Sequence, residues 1–268
     1  MSGIISLLTD FGPSGVAVSE MKATILGIAP QVHMVDITHT VPAQDVRTAA
    51  GTLGRSPFYF PAGTVHIFVV DPGVGTARRP MAAQLGPQTF VGPDNGALTL
   101  AIERAEAEGH TPRFIVLDKR EYWRPRISNV FHGRDIFAPV AAHLASGVPF
   151  ESIGTPIDDP VRLPFDRPNR TEQGLAGEVT FVVKHFGNIF TNISAPDLEA
   201  LGKDFASLRV KLAGVEIAGL VRTFGDRAPG ELVALIGSDD ELIVAEVNGH
   251  AGDRLKVKVG DPVEVIAD

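Results

Sequence analysis

The sequence predicts a mostly parallel α/β domain followed by a smaller all-β, barrel-like domain. In the first part of the chain, short apolar runs alternate with stretches whose apolar residues recur at helical spacing. That alternation is typical of a parallel sheet covered on both faces. After Pro156 the helical patterns nearly vanish, and turns rich in Gly, Asp and Asn separate short apolar runs, as in a small barrel or sandwich. We expect an α/β domain over residues 1–160, a linker over about 161–170 and a barrel-like domain over 171–268.

In the first domain, predicted strands and helices largely alternate. Gly and Pro mark several boundaries, as at Gly12 and Pro30. No Gly-x-Gly-x-x-Gly run opens a helix, so the usual dinucleotide-binding fold is not indicated. The predicted strands cover residues 4–8, 32–37, 65–70, 89–91 and 114–117, and the predicted helices cover residues 19–28, 43–53, 97–107 and 135–145.

In the second domain, the sequence predicts short strands and no long helix. Runs of four to six mainly apolar residues are bounded by turn residues, which favours a β-barrel or sandwich. The predicted strands cover residues 178–183, 189–193, 208–212, 232–236, 242–247, 255–259 and 263–266.

The composition argues against several classes of protein. The net charge is −8, whereas a nucleic-acid-binding protein normally presents a basic face. The chain has no cysteine, which excludes disulfides, thiolate catalysis and cysteine-ligated metal sites. Its histidines show no close metal-ligand spacing, so we expect no metal. We also expect no membrane partner and a cytoplasmic location, because neither a signal peptide nor an apolar run of membrane-spanning length is present.

Two short segments carry the candidate chemistry. Asp71 follows the apolar run 65–70, with Arg78 close behind it, and His132 precedes the predicted helix 135–145. In an open α/β sheet, ligands bind outside the carboxyl ends of the strands. An acid, a base and a guanidinium brought together there can polarise a water molecule. The sequence therefore indicates an enzyme that acts on a small ligand.

Six motifs in order resemble those of the S-adenosylmethionine hydroxide adenosyltransferases, which are relatives of the fluorinases and chlorinases. The motifs are LLTDFG at 7–12, VDITH at 35–39, DPGVGT at 71–76, GPDNG at 92–96, FHGRD at 131–135, and FGN at 186–188 followed by Thr191 and Asn192. The resemblance runs over nearly the whole chain. It implies an α/β domain, a barrel-like domain, and a homotrimer whose active site lies between the first domain of one subunit and the second domain of the next.

The resemblance also implies the reaction and the residues that carry it. The family converts S-adenosylmethionine and water to adenosine and methionine by displacement at the ribose C5′ carbon, with S-adenosylmethionine as substrate and no cofactor. By resemblance, Asp71 accepts a proton or hydrogen bond from the water, His132 shares that proton, and Arg78 holds the Asp71 carboxylate ionised. Each of the three residues also has a plain structural reading as a turn acid, a loop histidine or a surface charge.

The substrate-binding residues follow from the same resemblance. Asp10 is expected to accept hydrogen bonds from the ribose 2′- and 3′-hydroxyls, because a carboxylate has several acceptor positions. Phe186 and Asn188 resemble the residues that stack on adenine and hydrogen-bond to it. Ser238 resembles a serine that contacts the methionine end. Simple turn roles are the alternatives for Asp10, Asn188 and Ser238.

The sequence departs from the family pattern at two charges. Relatives place an acid shortly before the FGN motif, where this chain has Lys184 and His185. The fluorinase carries an arginine eight residues after its serine, where this chain has Glu246. One hypothesis is a reversed arrangement, with Lys184 facing the substrate carboxylate and Glu246 its ammonium. The alternatives are that neither side chain reaches the pocket, or that the substrate is another adenosyl compound.

Two other functions are compatible with the motifs. A halide-using adenosyl transferase is disfavoured because Asp71 would repel an anion, and because Gly133 stands where the fluorinase has a serine that donates to fluoride. A non-catalytic sensor of adenosine or S-adenosylmethionine is the alternative from a different class.

Overall fold

The computed structural model describes residues 3–267, and the chain forms two compact units. The first unit ends at Leu163 and the second begins at Pro164. The first residues of the predicted linker are bonded to the first unit, since the backbone N–H of Val161 donates to Asp94 at 2.8 Å and that of Leu163 donates to Thr99 at 2.8 Å. The connecting stretch is therefore shorter than the composition suggests.

The sheet of the first unit is parallel in one half and antiparallel in the other. Its strand order is β2-β1-β3-β5-β4-β6-β7. The first four strands run parallel, and each later neighbour is antiparallel. The strands are β1 Ile4–Thr9, β2 His33–Thr38, β3 Val65–Val69, β4 Pro80–Leu85, β5 Gln88–Pro93, β6 Arg113–Val116 and β7 Thr155–Ile157.

Strands β4 and β7 are additions to the predicted set. Strand β4 carries Ala82, Ala83 and Gln84 and no β-branched residue, so its composition gives little strand signal. Gly86, at φ 58°, lies in the tight turn that joins β4 to β5. This hairpin reverses the strand direction and makes half of the sheet antiparallel.

Helices cover both faces of this sheet, as the alternating pattern predicts. Side chains on β1 alternate, so that Ile5 and Leu7 face one core and Leu8 faces the other. Helices α1 and α4 pack on the first core, and helices α2 and α3 pack on the second. The helices are α1 Ala17–Ile28, α2 Val46–Leu53, α3 Thr99–Ala107 and α4 Ala138–Ala145.

The starts of α1 and α3 lie two residues from the predicted ones, and the other two helix starts differ more. Helix α2 begins at Val46 because the Asp45 carboxylate caps it, accepting a hydrogen bond from the N–H of Thr48 at 2.9 Å. The predicted helix over 135–145 begins instead with a π-helical turn, Gly133–Phe137, and α4 follows from it. Such turns are rare and occur often at functional sites.

The second unit is a nearly closed β-barrel. Its strand order is β12-β11-β16-β9-β10-β15-β14-β13, with β8 paired to β9. The two ends of this order, β12 and β13, are consecutive in the chain and separated only by Gly219. The sheet therefore curves back on itself around one apolar core. The strands are β8 Asn169–Thr171, β9 Gly174–Val182, β10 Ile189–Ser194, β11 Arg209–Leu212, β12 Val215–Ala218, β13 Leu220–Val221, β14 Leu232–Ile236, β15 Glu241–Glu246 and β16 Pro262–Ile266.

The strand predicted over residues 255–259 is wrong. Helix α6, Ala251–Leu255, occupies its start, and Lys256 ends the helix in the left-handed conformation at φ 54°. The alternation of Leu255, Val257 and Val259 imitates a strand, but Val259 is exposed. The unit's other helix is α5, Ala195–Glu199.

Transmembrane helices are absent from the part of the chain that the structure describes. Its longest helix, α1, has 12 residues, whereas a spanning helix needs about 20 apolar residues.

Candidate functional site

Polar side chains lie at the carboxyl ends of the parallel strands in the first unit. Asp10 follows β1 and Asp71 follows β3, and the register pairs Thr9 with Val69, so the two acids lie at neighbouring strand ends. The amide of Asn95, after β5, donates to the carbonyl of Val70 at 2.8 Å. The loops that follow β1, β3 and β5 therefore meet at the edge where open α/β sheets bind ligands.

Arg78 donates two hydrogen bonds to the carboxylate of Asp71. Its Nε donates to Oδ1 of Asp71 at 3.1 Å, and its Nη2 donates to Oδ2. The side chains are 7% and 4% exposed, respectively. This two-point pairing of a planar guanidinium with a carboxylate is among the stronger charge-assisted contacts in proteins. It neutralises the buried carboxylate and holds it in a fixed orientation.

The DPGVGT turn brings these two residues together. The Thr76 hydroxyl donates to the carbonyl of Gly73 at 2.7 Å, and the N–H of Arg78 donates back to that hydroxyl at 3.3 Å. Gly75 has φ 78°, and a Cβ there would lie 2.4 Å from the carbonyl oxygen of Asn129. Only glycine fits this position, because both the backbone conformation and the close approach exclude a side chain.

His132 completes the group. Its Nδ1 lies 3.1 Å from Nη2 of Arg78. A guanidinium only donates, so Nδ1 accepts and the imidazole proton sits on Nε2. Burial lowers the pKa of His132, Arg78 lowers it further, and Asp71 and Asp135 oppose the shift in part. The imidazole is therefore neutral near pH 7, with its Nε2–H left to hold an oxygen atom.

Arg78 has one more donor. Its Nη1 is buried and has no hydrogen-bond partner within residues 3–267. A buried polar group without a partner is uncommon. The guanidinium also lies 5.4 Å from the ring centroid of Phe137. Arg78 thus connects the acid and the imidazole through Nε and Nη2, and its Nη1 has no acceptor among the described residues.

Asp135 anchors the segment that carries His132, and it is not among the residues that the sequence predicts for the site. The carboxylate is fully buried. It accepts hydrogen bonds from Arg134 at 2.7 and 3.0 Å, from Arg124 at 2.9 Å and from the N–H of Ser128 at 2.8 Å. Burial raises the pKa of Asp135, but these hydrogen bonds outweigh it and the net shift is downward. Its position inside the FHGRD motif was the available signal.

Asp10 lies beside the His132 segment. The N–H of Gln44 donates to Oδ2 of Asp10 at 2.7 Å, and Gln44 itself has a positive φ of 65°. The ring of Phe11 meets the ring of Phe131 edge-on, with centroids 5.9 Å apart. The structure therefore brings the turn after β1 and the segment before α4 into direct contact.

Phe186 and Asn188 lie in the turn between β9 and β10 of the second unit. Phe186 is 63% exposed, and its ring meets that of His185 at 4.7 Å. Gly187 has φ 72°, and a Cβ there would lie 2.4 Å from the ring of His250. The turn thus displays an aromatic face to solvent on a backbone that requires glycine.

His250 supports this turn, a role that the sequence does not predict. Its Nδ1 accepts from the N–H of Asp253 at 3.0 Å, which leaves Nε2 to donate to the carbonyl of Lys184 at 3.1 Å. The N–H of Gly252 donates to the carbonyl of Gly187 at 2.9 Å. A lone histidine before a short helix carries no distinctive sequence signal.

Ser238 is not brought together with the other candidates in the second unit. Glu246 pairs with Leu232 at one end of the β14–β15 hairpin, whereas Ser238 follows Ile236 at the other. Four residues of strand, about 13 Å at 3.3 Å per residue, separate the two ends. The register pairs Ile189 with Val244, so Lys184 and Glu246 are at the same end of the barrel.

Glu246 already has a cationic neighbour. Its Oε1 lies 3.1 Å from Nη1 of Arg254, a residue of α6, which also donates to the carbonyl of Gly230 at 2.7 Å. Spacing along the sequence did not reveal this ion pair. A Glu246 carboxylate that faces a substrate ammonium would have to share its charge with Arg254.

The candidate residues lie at strand ends and in turns. Two pockets, of about 690 Å³ in the first unit and about 450 Å³ in the second, are lined by other residues. Within the described residues, no three His, Asp or Glu side chains are grouped so that they could hold a metal ion.

Comparisons with known proteins agree over nearly the whole chain. Residues 5–154 match the family model of the SAM hydroxide adenosyltransferase N-terminal domain, and residues 177–264 match that of the C-terminal domain. The (R)-S-adenosyl-L-methionine hydrolase of Salinispora tropica is 41% identical over 98% of this chain and 97% of its own. A fluorinase of Nocardia brasiliensis is 30% identical over 96% of this chain and 97% of its own. A crystal structure of an uncharacterized conserved protein from Thermotoga maritima has a TM-score of 0.90 at 38% identity, covering 98% of this chain and 100% of that one.

Proposed function

The chain belongs to the SAM hydroxide adenosyltransferase family, and we propose that it hydrolyses S-adenosyl-L-methionine to adenosine and L-methionine. Water attacks C5′ of the ribose, and the bond from C5′ to sulfur breaks. The observation that supports this reaction is the contact of Asp71 and His132 with the same Arg78 guanidinium at the ligand-binding edge of the sheet.

The leaving group needs no catalytic assistance, whereas the water nucleophile must be positioned and polarised. The sulfonium leaves as a neutral thioether, so no acid is needed to protonate it. The enzyme has to hold water in line behind C5′ and polarise it. Asp71 accepts the water proton as the new C–O bond forms. Nε2–H of His132 donates to the water oxygen and fixes its direction, which leaves the other lone pair of that oxygen to attack C5′. The proton then passes from Asp71 to solvent.

Water suits this site better than halide. An Asp71 carboxylate beside the nucleophile raises the energy of an approaching anion. Gly133 offers no side-chain donor to a halide. A Cβ there would lie 3.2 Å from Sδ of Met21 and 3.4 Å from the side chain of Val69, so a serine would require the Met21 side chain to shift by a few tenths of an ångström.

The substrate is held by residues from both units of the chain. In this proposal Asp10 accepts from the ribose hydroxyls, Phe186 stacks on adenine and Asn188 hydrogen-bonds to it. The protein acts as a homotrimer in which the first unit of one subunit and the second unit of another complete each site. The exposed Phe186 ring in the second unit and the nearly buried Asp71–Arg78 pair in the first support separate roles for the two units, binding of adenine and activation of water.

The methionine end has two sets of candidates. Ser238 lies away from the adenine-binding turn and suits the far end of an extended substrate. Lys184 and Glu246 lie beside that turn, and Glu246 is paired with Arg254. We favour Ser238 on this ground. Ser238→Ala is expected to raise KM for S-adenosylmethionine, whereas Lys184→Ala and Glu246→Gln leave it nearly unchanged.

The most direct test is turnover in isotopically labelled water. We expect the purified protein to release adenosine and methionine without added halide, and ¹⁸O from H₂¹⁸O to appear in the adenosine 5′-hydroxyl. Because relatives are named for the (R) epimer at sulfur, we expect (R)-S-adenosyl-L-methionine to react faster than the (S) epimer. A 5′-halo product that forms with added halide would assign the halide reaction instead, and binding without turnover would assign a sensor.

A further inference from the structure

A line of four side chains runs behind Asp10 and is not used by the proposed reaction. The hydroxyl of Thr9 lies 2.9 Å from Nδ1 of His39. Nε2 of His39 lies 3.1 Å from Oδ1 of Asp36, and Nζ of Lys22 lies 2.6 Å from Oδ2 of the same carboxylate. The line therefore extends from a buried residue of β1, through the end of β2, to helix α1.

The hydrogen atoms along this line can be assigned. The N–H of Phe11 donates to the Thr9 hydroxyl oxygen at 3.3 Å, and Lys22 donates to Asp36. A neutral His39 that accepts the Thr9 hydroxyl proton on Nδ1 carries its own proton on Nε2, facing the Asp36 carboxylate. Nε2 of His39 is buried and makes no hydrogen bond within residues 3–267, so the nearby Asp36 carboxylate acts on it through its charge, and the contact with Thr9 is the hydrogen bond that orients the ring.

His39 also holds the backbone on the far side of Asp10. The N–H of Gly12 donates to the carbonyl of His39 at 2.8 Å. The ring of His39 thus binds the residue before Asp10, and its carbonyl binds the second residue after it. The intervening carboxylate is further held by the N–H of Gln44.

A Thr–His–Asp line resembles a nucleophile with its base and acid, but Thr9 has the wrong exposure for that role. Thr9 is fully buried, so no substrate atom can approach its hydroxyl. His39 has a side-chain exposure of 15% and Asp36 of 40%. The line points inward, toward the turn that carries Asp10.

We propose that His39 is a positioning residue that sets the direction of the Asp10 carboxylate and thereby the enzyme's recognition of the ribose hydroxyls. His39 holds Thr9 through its ring and Gly12 through its carbonyl, with the Asp36 carboxylate near the other side of the ring, and the turn between Thr9 and Gly12 directs the Asp10 side chain. The inference rests on the proposed function, because it assumes that Asp10 binds the ribose.

The test compares two substrates in several variants. We measure kcat/KM for S-adenosylmethionine and for its 2′-deoxy analogue. A hydrogen bond from a ribose hydroxyl to a carboxylate makes the wild type prefer the natural substrate by about tenfold or more. Asp10→Asn is expected to remove most of that preference. His39→Leu is expected to reduce the preference for the natural substrate several-fold. His39→Asn is expected to keep much of that preference, because the Asn carbonyl oxygen can accept the Thr9 hydrogen bond in place of Nδ1.

Two controls separate positioning from general loss of stability. His66→Leu changes a buried histidine of the neighbouring strand β3, and we expect it to lower the melting temperature while leaving the ratio of the two substrates unchanged. Thr9→Val removes only the hydroxyl that His39 contacts, and it is expected to narrow the ratio as His39→Leu does. It serves in place of His39→Leu if the latter does not fold.

The outcomes distinguish the inference from the proposed function. If Asp10→Asn removes the preference while His39→Leu and Thr9→Val retain the wild-type ratio, His39 has no positioning role and the inference is overturned alone. If Asp10→Asn retains the wild-type ratio, Asp10 does not bind the ribose hydroxyls. The proposed role of Asp10 and the positioning role of His39 are then overturned together.

Discussion

Nδ1 of His132 lies 3.1 Å from Nη2 of Arg78, and this contact decides which imidazole nitrogen carries the proton. The same Nη2 also donates to Asp71. One guanidinium nitrogen therefore joins an acid that follows β3 to an imidazole that precedes α4. In the proposed reaction, Asp71 is then the proton acceptor and His132 a hydrogen-bond donor.

We expect Arg78→Lys to lower kcat about 100-fold or more, although it keeps the positive charge. Lysine is a point charge and cannot contact both oxygens of Asp71 and Nδ1 of His132 at once. Steady-state kinetics with S-adenosylmethionine checks this, with Arg113→Lys as a matched control on an exposed ion pair with Glu151. Equal activities for the two lysine variants would contradict the role given to Arg78.

The pH dependence of kcat/KM follows from the protonation state of His132. Burial and Arg78 lower the pKa of this imidazole from the ordinary 6.5. A proton on Nδ1 would face the Arg78 donor, so activity is expected to fall as the pH drops, with a midpoint below 6.5. His132→Asn is expected to lower activity and remove this acid limb. An acid-limb midpoint above the ordinary histidine value would contradict the lowered pKa of His132, and activity that instead falls as the pH rises through this range would show that His132 acts in its charged form.

Asp135→Asn is expected to destabilise the protein by about 3 kcal/mol, because the change leaves the guanidinium groups around a fully buried site without their charge partner. Urea unfolding at neutral pH measures the loss. Glu20→Gln is the matched control, since Glu20 pairs with the same Arg134 but is 41% exposed. The control is expected to cost less than about 1 kcal/mol. Similar losses for the two variants would mean that Asp135 is not the anchor.

Stability is expected to decline in mild acid because of His66. Burial lowers the pKa of His66 to about 4, from an ordinary value of 6.5, and a hydrogen bond with Gln88 opposes the shift. Between pH 6.5 and about 4, His66 is therefore protonated in the unfolded chain but neutral in the folded chain. The free energy of unfolding is highest above pH 6.5 and decreases as the pH falls toward 4. The full difference is about 3 kcal/mol.

The measurement for His66 is the urea midpoint at several pH values from about 4.5 to about 7.5, as suits the titration range. His66→Leu is expected to show a smaller loss over this range than the wild type, whatever its stability at neutral pH. Parallel pH curves for the two proteins would place the acid sensitivity in other groups.

Two inactive variants are expected to restore activity when mixed. Asp71→Asn impairs the first unit and Phe186→Ala the second. If each site uses the two units from different subunits, unfolding and refolding the mixture gives about a quarter of the sites both intact halves. Mixing without refolding is the control, and activity that stays at the level of the separate variants would place each site within one subunit.

The fold class was predictable because it depends on periodicity. The short apolar run of β1 and the helical spacing in α1 are local signals, and both elements lie close to their predicted bounds. Strand β4 was not predicted because alanine and glutamine have little preference for strands. Residues 255–259 were wrongly predicted as a strand because an alternating apolar pattern also suits a helix end followed by a packed turn.

By itself, the sequence determined the chain's family, its two-part architecture and the residue types available for the reaction, because these depend on composition, order and local spacing. Only the tertiary structure decided which side chains meet. It joined Arg78 to both Asp71 and His132, gave Glu246 a partner in Arg254, set Ser238 apart from the turn of Phe186, and placed His39 behind Asp10. Such contacts depend on strand register and on which strand ends share an edge. These are relations between segments far apart in the chain, and no local pattern encodes them.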